Sequence, residues 1–158
     1  MMKKRISLLI STCLGVGYFP KMPGTAGSAL AAIVYLFLPA AIFATIFSNL
    51  LFLLVLLILF VALVPFVNES EKHLGHDDGK IVIDEFLGYM IATLFLPYGF
   101  VTAITAFVFF RIFDIFKPEP VDVLQKLPDG FGVMADDLMA GIYANICGQI
   151  VIRLIFKS

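Results

Sequence analysis

The apolar residues of this chain occur in long uninterrupted runs. Residues 29–47 and 50–67 contain no charged side chain, and each run approaches the roughly 20 residues that a helix needs to cross a bilayer. Ser48 and Asn49 separate the two runs and predict a short polar turn. The pattern therefore predicts a helical hairpin that crosses a membrane.

Three further apolar runs follow. Residues 86–96 and 100–113 are each short for a full crossing, and the turn-forming sequence at residues 97–99 joins them. Residues 138–156 are long enough to span. We predict an all-α fold, a polytopic membrane helix bundle with about four to five hydrophobic helices, in a single domain that covers residues 1–158.

The N-terminus resembles a secretory signal, because Lys3, Lys4 and Arg5 precede the apolar residues 6–16. No small-residue cleavage site follows this run. We expect the segment to be retained as an interfacial or re-entrant element.

The composition supports a membrane protein. Hydrophobic residues make up 61% of the chain and charged residues 15%, whereas soluble proteins have roughly 45–50% and about 25%. The formal net charge of -1 argues against nucleic acid as a partner, since binding to phosphate backbones requires a surplus of Lys and Arg. The two cysteines indicate neither a disulfide framework nor a zinc site.

The charged residues are distributed unevenly along the predicted topology. If each apolar run crosses once, residues 1–28, 68–85 and 111–137 lie on one side, with all twelve acidic residues there or at the adjoining helix ends. Nine of the eleven Lys and Arg residues share that side, and Arg153 and Lys157 lie on the other. Because positively charged loops stay in the cytoplasm, the acidic side is expected to be cytoplasmic.

Five acidic residues lie where apolar runs meet this side. Asp84 and Glu85 precede the third run, Asp136 and Asp137 precede the last, and Asp114 closes the fourth. Each of the first four, taken singly, could merely complement a helix dipole, but Asp114 is at the unfavourable end of its helix. Together they would repel one another, and a bound divalent cation resolves this. An all-oxygen ligand set favours Mg²⁺ over zinc.

A glycine-rich segment and several basic residues are candidates for phosphate binding. Residues 23–28 lead into the first hairpin helix, where free amides bind phosphate; the alternative is a simple N-capping turn. The candidate substrate contacts are Lys21, Gly24, Thr25, Gly27, Ser28 and Arg111. Lys117 lies three residues after Asp114 and is a candidate catalytic residue, because phosphoryl transfer depends on charge neutralisation.

Two histidines are weaker candidates. His73 and His76 have a spacing that metal ligands can show. A solvated loop is the favoured interpretation, with His76 and Asp77 as a minor metal candidate.

Four ordered motifs resemble the phosphatidylglycerophosphatase A family. They are the Pro-Gly-Thr-x-Gly-Ser core within residues 15–28, Ile-Val-x-Asp-Glu-Phe-x-Gly at 81–88, Phe-Arg-x-x-Asp-x-x-Lys-Pro at 110–118, and residues 132–141 ending in Asp-Asp-x-x-Ala-Gly. The resemblance implies hydrolysis of phosphatidylglycerophosphate, a membrane lipid, to phosphatidylglycerol at the bacterial cytoplasmic membrane. It also implies dependence on Mg²⁺, and it assigns metal and catalytic roles to a set of five acids with Lys117 as a phosphate contact. The five are Asp84, Glu85, Asp114, Asp136 and Asp137.

Other functions and routes stay open at this point. Direct attack by water is preferred to an aspartyl-phosphate intermediate, because the chain lacks the Asp-x-Asp-x-Thr motif. A CDP-alcohol phosphotransferase is an alternative, although its Asp-Gly-x-x-Ala-Arg pattern is absent. A small ion transporter is another, although its acids would lie along the crossing. The sequence does not indicate an oligomeric state.

Overall fold

The computed structural model describes residues 2–155, which form helices and connecting turns without a strand. This confirms the all-α prediction. The helices are α1 (Met2–Ser11), α2 (Pro23–Phe37), α3 (Ile46–Leu74), α4 (Ile83–Ala92), α5 (Phe100–Phe116), α6 (Val121–Leu124) and α7 (Asp129–Ile155). Short 3-10 turns occupy Val16–Tyr18 and Ala40–Phe43.

Helices α2 and α3 occupy the two runs of the predicted hairpin, but they scarcely contact each other and the turn between them is not at Ser48 and Asn49. Helix α2 ends at Phe37, and the connection occupies residues 38–45. The Thr45 side chain accepts a hydrogen bond from the Ser48 amide, at 3.1 Å. Since Ser and Thr oxygens satisfy the free amides of a helix start, this polar pair begins α3 and does not separate two helices.

Helix α3 is the long apolar helix of the bundle. Its 29 residues extend over about 44 Å at roughly 1.5 Å per residue. Among the described residues it alone is both long and apolar enough to cross a bilayer. Leu50, Leu54, Ile58 and Val61 are exposed along it, so its outer face requires apolar surroundings. The predicted total of about four to five crossings stays a prediction.

Helices α4 and α7 cross at two glycines. A Cβ atom on Gly88 would lie 2.5 Å from the carbonyl oxygen of Asp137 on α7, and one on Gly141 would collide with the Gly88 carbonyl oxygen. Side chains at either position would therefore push the two backbones apart. The close crossing brings the first turn of α4 against the middle of α7.

Helix α4 ends earlier than the apolar run that contains it. It stops at Ala92, and the chain continues without regular helix to residue 99. Amide side chains of α7 satisfy the carbonyl groups there: Asn145 donates to Leu94 at 2.6 Å and Gln149 to Phe95 at 3.0 Å. Such irregular backbone is tolerated inside an apolar bundle because neighbouring helices supply hydrogen bonds.

Helix α7 begins earlier than predicted, at Asp129 in place of Asp136. The amide of Gly130 donates to the Asn68 side chain at 2.6 Å, which holds the added turns against α3. Arg153 lies in the last turn, at the opposite end from these contacts. Phe156, the predicted end of this apolar run, and Lys157 lie outside the described residues.

The N-terminal segment packs against the bundle. The Ser70 hydroxyl donates to the Ser11 hydroxyl at 3.0 Å, which joins the end of α1 to α3. The amide of Val82 donates to the Ser11 carbonyl at 2.8 Å, just before α4. Helix α1 therefore helps to fix the start of α4, and its interfacial position stays a prediction.

Candidate active site

Three carboxylates meet where α4 crosses α7. Asp84 and Glu85 lie in the first turn of α4, and Asp137 lies in the third turn of α7. One oxygen of each lies within 4.8 Å of the others, and Asp84 and Asp137 are only 6% and 3% exposed. Burying several like charges together costs free energy unless positive charge compensates them.

The donor atoms of this group fit a magnesium ion. One carboxylate oxygen of Glu85, Oε2, is buried without a hydrogen-bond partner, although buried polar atoms are nearly always paired. Three carboxylates offer the hard oxygen ligands that Mg²⁺ binds, and no sulfur or imidazole ligand lies in the group. Asp84, Glu85 and Asp137 are therefore the residues that would hold the metal.

The other two predicted ligands are paired with basic side chains. Asp114 accepts a hydrogen bond from the Arg111 guanidinium, one turn earlier on α5. Asp136 accepts from the Lys117 ammonium at 2.6 Å. Both paired acids still lie near the carboxylate group. Asp114 is close enough to repel Glu85 and Asp137, and Asp136 is close enough to repel Asp84. All five predicted acids therefore lie at one site, although they differ in their hydrogen-bond partners.

Asp136 and Asp137 do not begin a helix. They are the eighth and ninth residues of α7, beyond the first turn to which the favourable effect of a helix dipole is confined. Dipole stabilisation therefore does not account for their burial. Dipole stabilisation can still apply to Asp84 and Glu85, which occupy the first turn of α4.

Lys117 follows the last turn of α5 in a left-handed conformation, with φ of 41°. Burial by itself lowers the pKa of this ammonium, but its hydrogen bond to Asp136 and the charge of that carboxylate raise the pKa above its ordinary value. Lys117 therefore stays positively charged beside the acidic group.

The glycine-rich segment forms the beginning of α2, which starts at Pro23. A Cβ atom on Gly24 would collide with the Glu85 carboxylate and lie 3.2 Å from Nη1 of Arg111. A Cβ atom on Gly27 would lie 2.8 Å from Cβ of Val82. The two glycines therefore allow the start of α2, with its free amides, to lie directly against the acidic group.

The hydroxyl groups of this helix start differ in their partners. Ser28 donates to the Gly24 carbonyl oxygen at 2.9 Å, and Nη1 of Arg111 lies 3.4 Å from the Ser28 oxygen. Oγ1 of Thr25 and Nε of Arg111 are buried without a partner. Arg111 thus brings an unpaired donor close to Glu85, since both side chains lie against Gly24, and Thr25 is the next residue along α2.

The remaining candidates lie further out. Lys21 is exposed, in the loop before α2, with φ of 77°. His76 is hydrogen-bonded to Glu71 at 2.6 Å with a side chain 67% exposed, and Asp77 accepts from Gln125 at 2.6 Å. Neither His76 nor Asp77 belongs to the carboxylate group, which agrees with the solvated-loop interpretation.

Three amide side chains that support the site are not among the predicted functional residues. Asn68 holds the start of α7, while Asn145 and Gln149 hold the irregular segment after α4. Their signal is visible in the sequence, since each is a polar residue within or beside an apolar run. Such residues are costly in an apolar environment unless they are hydrogen-bonded.

Comparison with known proteins agrees with the chemistry of this site. The family model described as phosphatidylglycerophosphatase A matches residues 9–152. Two relatives named phosphatidylglycerophosphatase A come from Haemophilus influenzae and Escherichia coli. The first is 37% identical over 155 residues, covering 90% of each chain, and the second 36% over 137 residues, covering 85% of this chain and 76% of the relative.

A third relative carries a different name. This protein of Bacteroides thetaiotaomicron, named "Putative phosphatidylinositol-3-phosphatase", is 39% identical over 149 residues, covering 89% of this chain and 90% of the relative. No solved structure is significantly similar to the chain. The family model and the relatives cover nearly the whole chain, and the chain belongs to the phosphatidylglycerophosphatase A family.

Proposed function

We propose that this chain hydrolyses the terminal phosphomonoester of phosphatidylglycerophosphate to give phosphatidylglycerol and phosphate. The observation that carries the proposal is that buried polar atoms of opposite character are unpaired where the start of α2 packs against Glu85 and Arg111. Oε2 of Glu85 is an acceptor suited to a cation, while Oγ1 of Thr25 and Nε of Arg111 are donors suited to phosphate. A metal-bound phosphate requires both kinds of partner in one place.

The phosphate group lies between the start of α2 and Arg111. Thr25 donates its free hydroxyl hydrogen, and the guanidinium of Arg111 donates through Nε. Asp114 positions Arg111 through their ion pair, with side chains only 12% and 16% exposed. Charge-assisted hydrogen bonds of this kind are among the strongest that a protein offers to phosphate.

Asp84, Glu85 and Asp137 would hold a Mg²⁺ cofactor. When bound, Mg²⁺ neutralises phosphate charge and makes a coordinated water more acidic. Lys117, fixed by Asp136, places a further positive charge beside the group and stabilises charge on the phosphoryl group during in-line attack by water.

The enzyme is a multi-pass protein of the bacterial inner membrane with its active site on the cytoplasmic face. Support comes from the exposed apolar surface of α3 and from the basic residues that accompany the acidic loops. The opposite end carries few charged residues, as expected for the translocated side.

A second candidate substrate is a phosphoinositide. It is favoured by the name of the Bacteroides thetaiotaomicron relative, a phosphatidylinositol-3-phosphatase by description. Both lipids present a phosphomonoester on a headgroup that is joined by a phosphodiester to diacylglycerol. The same carboxylates and donors would serve either one.

Asp84→Asn and Asp137→Asn are expected to lower phosphate release from phosphatidylglycerophosphate by on the order of 100-fold or more, because each removes a metal-ligand charge. The measurement is released phosphate from purified protein in mixed micelles. Asp122→Asn is the matched control, since the Asp122 side chain is 47% exposed and paired with Lys126, and it should keep the wild-type rate.

Removal of the metal by a chelator tests the same assignment without a substitution. EDTA should abolish the wild-type rate, and added Mg²⁺ should restore it. Near-normal rates in either Asn variant, or in EDTA, would contradict the metal assignment.

Thr25→Val is expected to lower kcat/KM by about 10- to 100-fold, because it removes a hydrogen bond to a charged phosphate while keeping the shape of the side chain. Thr25→Ser retains the hydroxyl and should stay within a few-fold of wild type. Steady-state kinetics on the same lipid measure both, and equal effects of Val and Ser would show that the hydroxyl has no role.

Direct competition between substrates decides which lipid is preferred. We expect kcat/KM for phosphatidylglycerophosphate to exceed that for phosphatidylinositol 3-phosphate when both have the same acyl chains. The reverse order would assign the chain the phosphoinositide activity.

Cysteine labelling tests the orientation in the membrane. With Cys147→Ser as background, Ala44→Cys lies in the connection before α3 and Asp122→Cys lies on the active-site side. A membrane-impermeant maleimide should label the first in intact cells and the second only in inverted vesicles. Labelling of position 122 in intact cells would place the active site on the outer face.

A further inference from the structure

A groove on the outer side of α2 adjoins the candidate active site. It lies between α2 and the loop that precedes it, with a volume of about 650 Å³, within the roughly 300–1,000 Å³ of small-molecule sites. Ala26 and Ala29 are the small residues that leave this space, while Phe19, Met22 and Ile33 line its exposed sides. The groove is apolar and open to the surroundings of the bundle.

Two of the residues that line the groove, Thr25 and Lys21, are polar, and both are candidate phosphate contacts. Oγ1 of Thr25 is buried without a partner, and Thr25 follows Gly24, which packs against Glu85. Lys21 supplies a positive charge just before α2. An apolar groove that ends beside a phosphate site fits an amphiphile with an anionic head.

A second, smaller groove lies on the other side of Leu30, which lines both. Its volume is about 340 Å³, and it extends from the end of α1 to the start of α4. Ile83 and Phe86 in its lining flank the pair Asp84 and Glu85. Both grooves therefore include or adjoin residues of the candidate site.

We infer that these grooves hold the two acyl chains of a diacyl lipid substrate, one on either side of Leu30, with Lys21 facing the phosphodiester. This inference rests on the proposed lipid phosphatase function. An acyl chain gains little free energy on moving from the bilayer into a groove that is equally apolar. The grooves therefore act by aligning the terminal phosphate with Thr25 and Arg111.

Filling the larger groove tests the inference. Ala29→Phe should lower kcat/KM for a phosphatidylglycerophosphate with 16-carbon chains on the order of 10- to 100-fold, because small misplacements of a reacting group are costly. A dihexanoyl analogue, whose chains are too short to reach along the groove, should be hydrolysed at nearly the wild-type rate.

The matched control is Ala62→Phe, at an exposed position of α3 away from both grooves. It should leave the ratio of long-chain to short-chain kcat/KM unchanged. An unchanged ratio in Ala29→Phe, whether both values are kept or both fall by the same factor, would overturn the inference.

Photolabelling tests binding without turnover. A phosphatidylglycerophosphate analogue with a diazirine midway along one acyl chain is added to the Asp84→Asn variant, and labelled peptides are identified by mass spectrometry. The label should concentrate within residues 9–34 and 83–86. Labelling that concentrates on the outer face of α3, at residues 50–61, would overturn the inference.

The two proposals fail in different ways. If the wild-type protein releases no phosphate but the grooves are labelled, the phosphatase function is wrong and the lipid site stands. If hydrolysis proceeds and Ala29→Phe leaves the chain-length ratio unchanged, the function stands and the groove assignment is wrong.

Discussion

The burial of three carboxylates in one place is the constraint on which the rest of the structure depends. Asp84, Glu85 and Asp137 approach one another only because α4 and α7 cross at Gly88 and Gly141, where any side chain would separate the helices. Without compensation, like charges in this position oppose folding. The bundle therefore has to supply nearby positive charge, or positions for a cation, at this crossing.

The surrounding elements supply this compensation in different ways. Arg111 and Lys117 pair with Asp114 and Asp136, whereas the three central carboxylates form no ion pair among the described residues. The start of α2 adds free amides and the unpaired hydroxyl of Thr25. Acidic residues, basic residues and a helix start thus form one site, although they come from four separate helices.

Three amide side chains outside the carboxylate group hold α4 and α7 in the positions that this arrangement requires. Asn145 and Gln149 satisfy the backbone after the early end of α4, and Asn68 fixes the start of α7. Asn145 and Gln149 lie in an apolar part of α7, and Asn68 lies where the apolar part of α3 ends. An unpaired amide would be costly in such surroundings. Their hydrogen bonds fix where α4 and α7 stop and start, and so where their carboxylates meet.

The sequence by itself determined the all-α fold, the long apolar helix and the acids and bases of the site, because apolar runs and isolated charges are local signals. It misplaced the turn before α3 and the start of α7, since capping by Thr45 and contact with Asn68 depend on neighbouring groups. Only the tertiary structure decided how the five acids divide between a cluster of three carboxylates and two ion pairs. That division depends on distances between helices, which the spacing of residues along one chain does not fix.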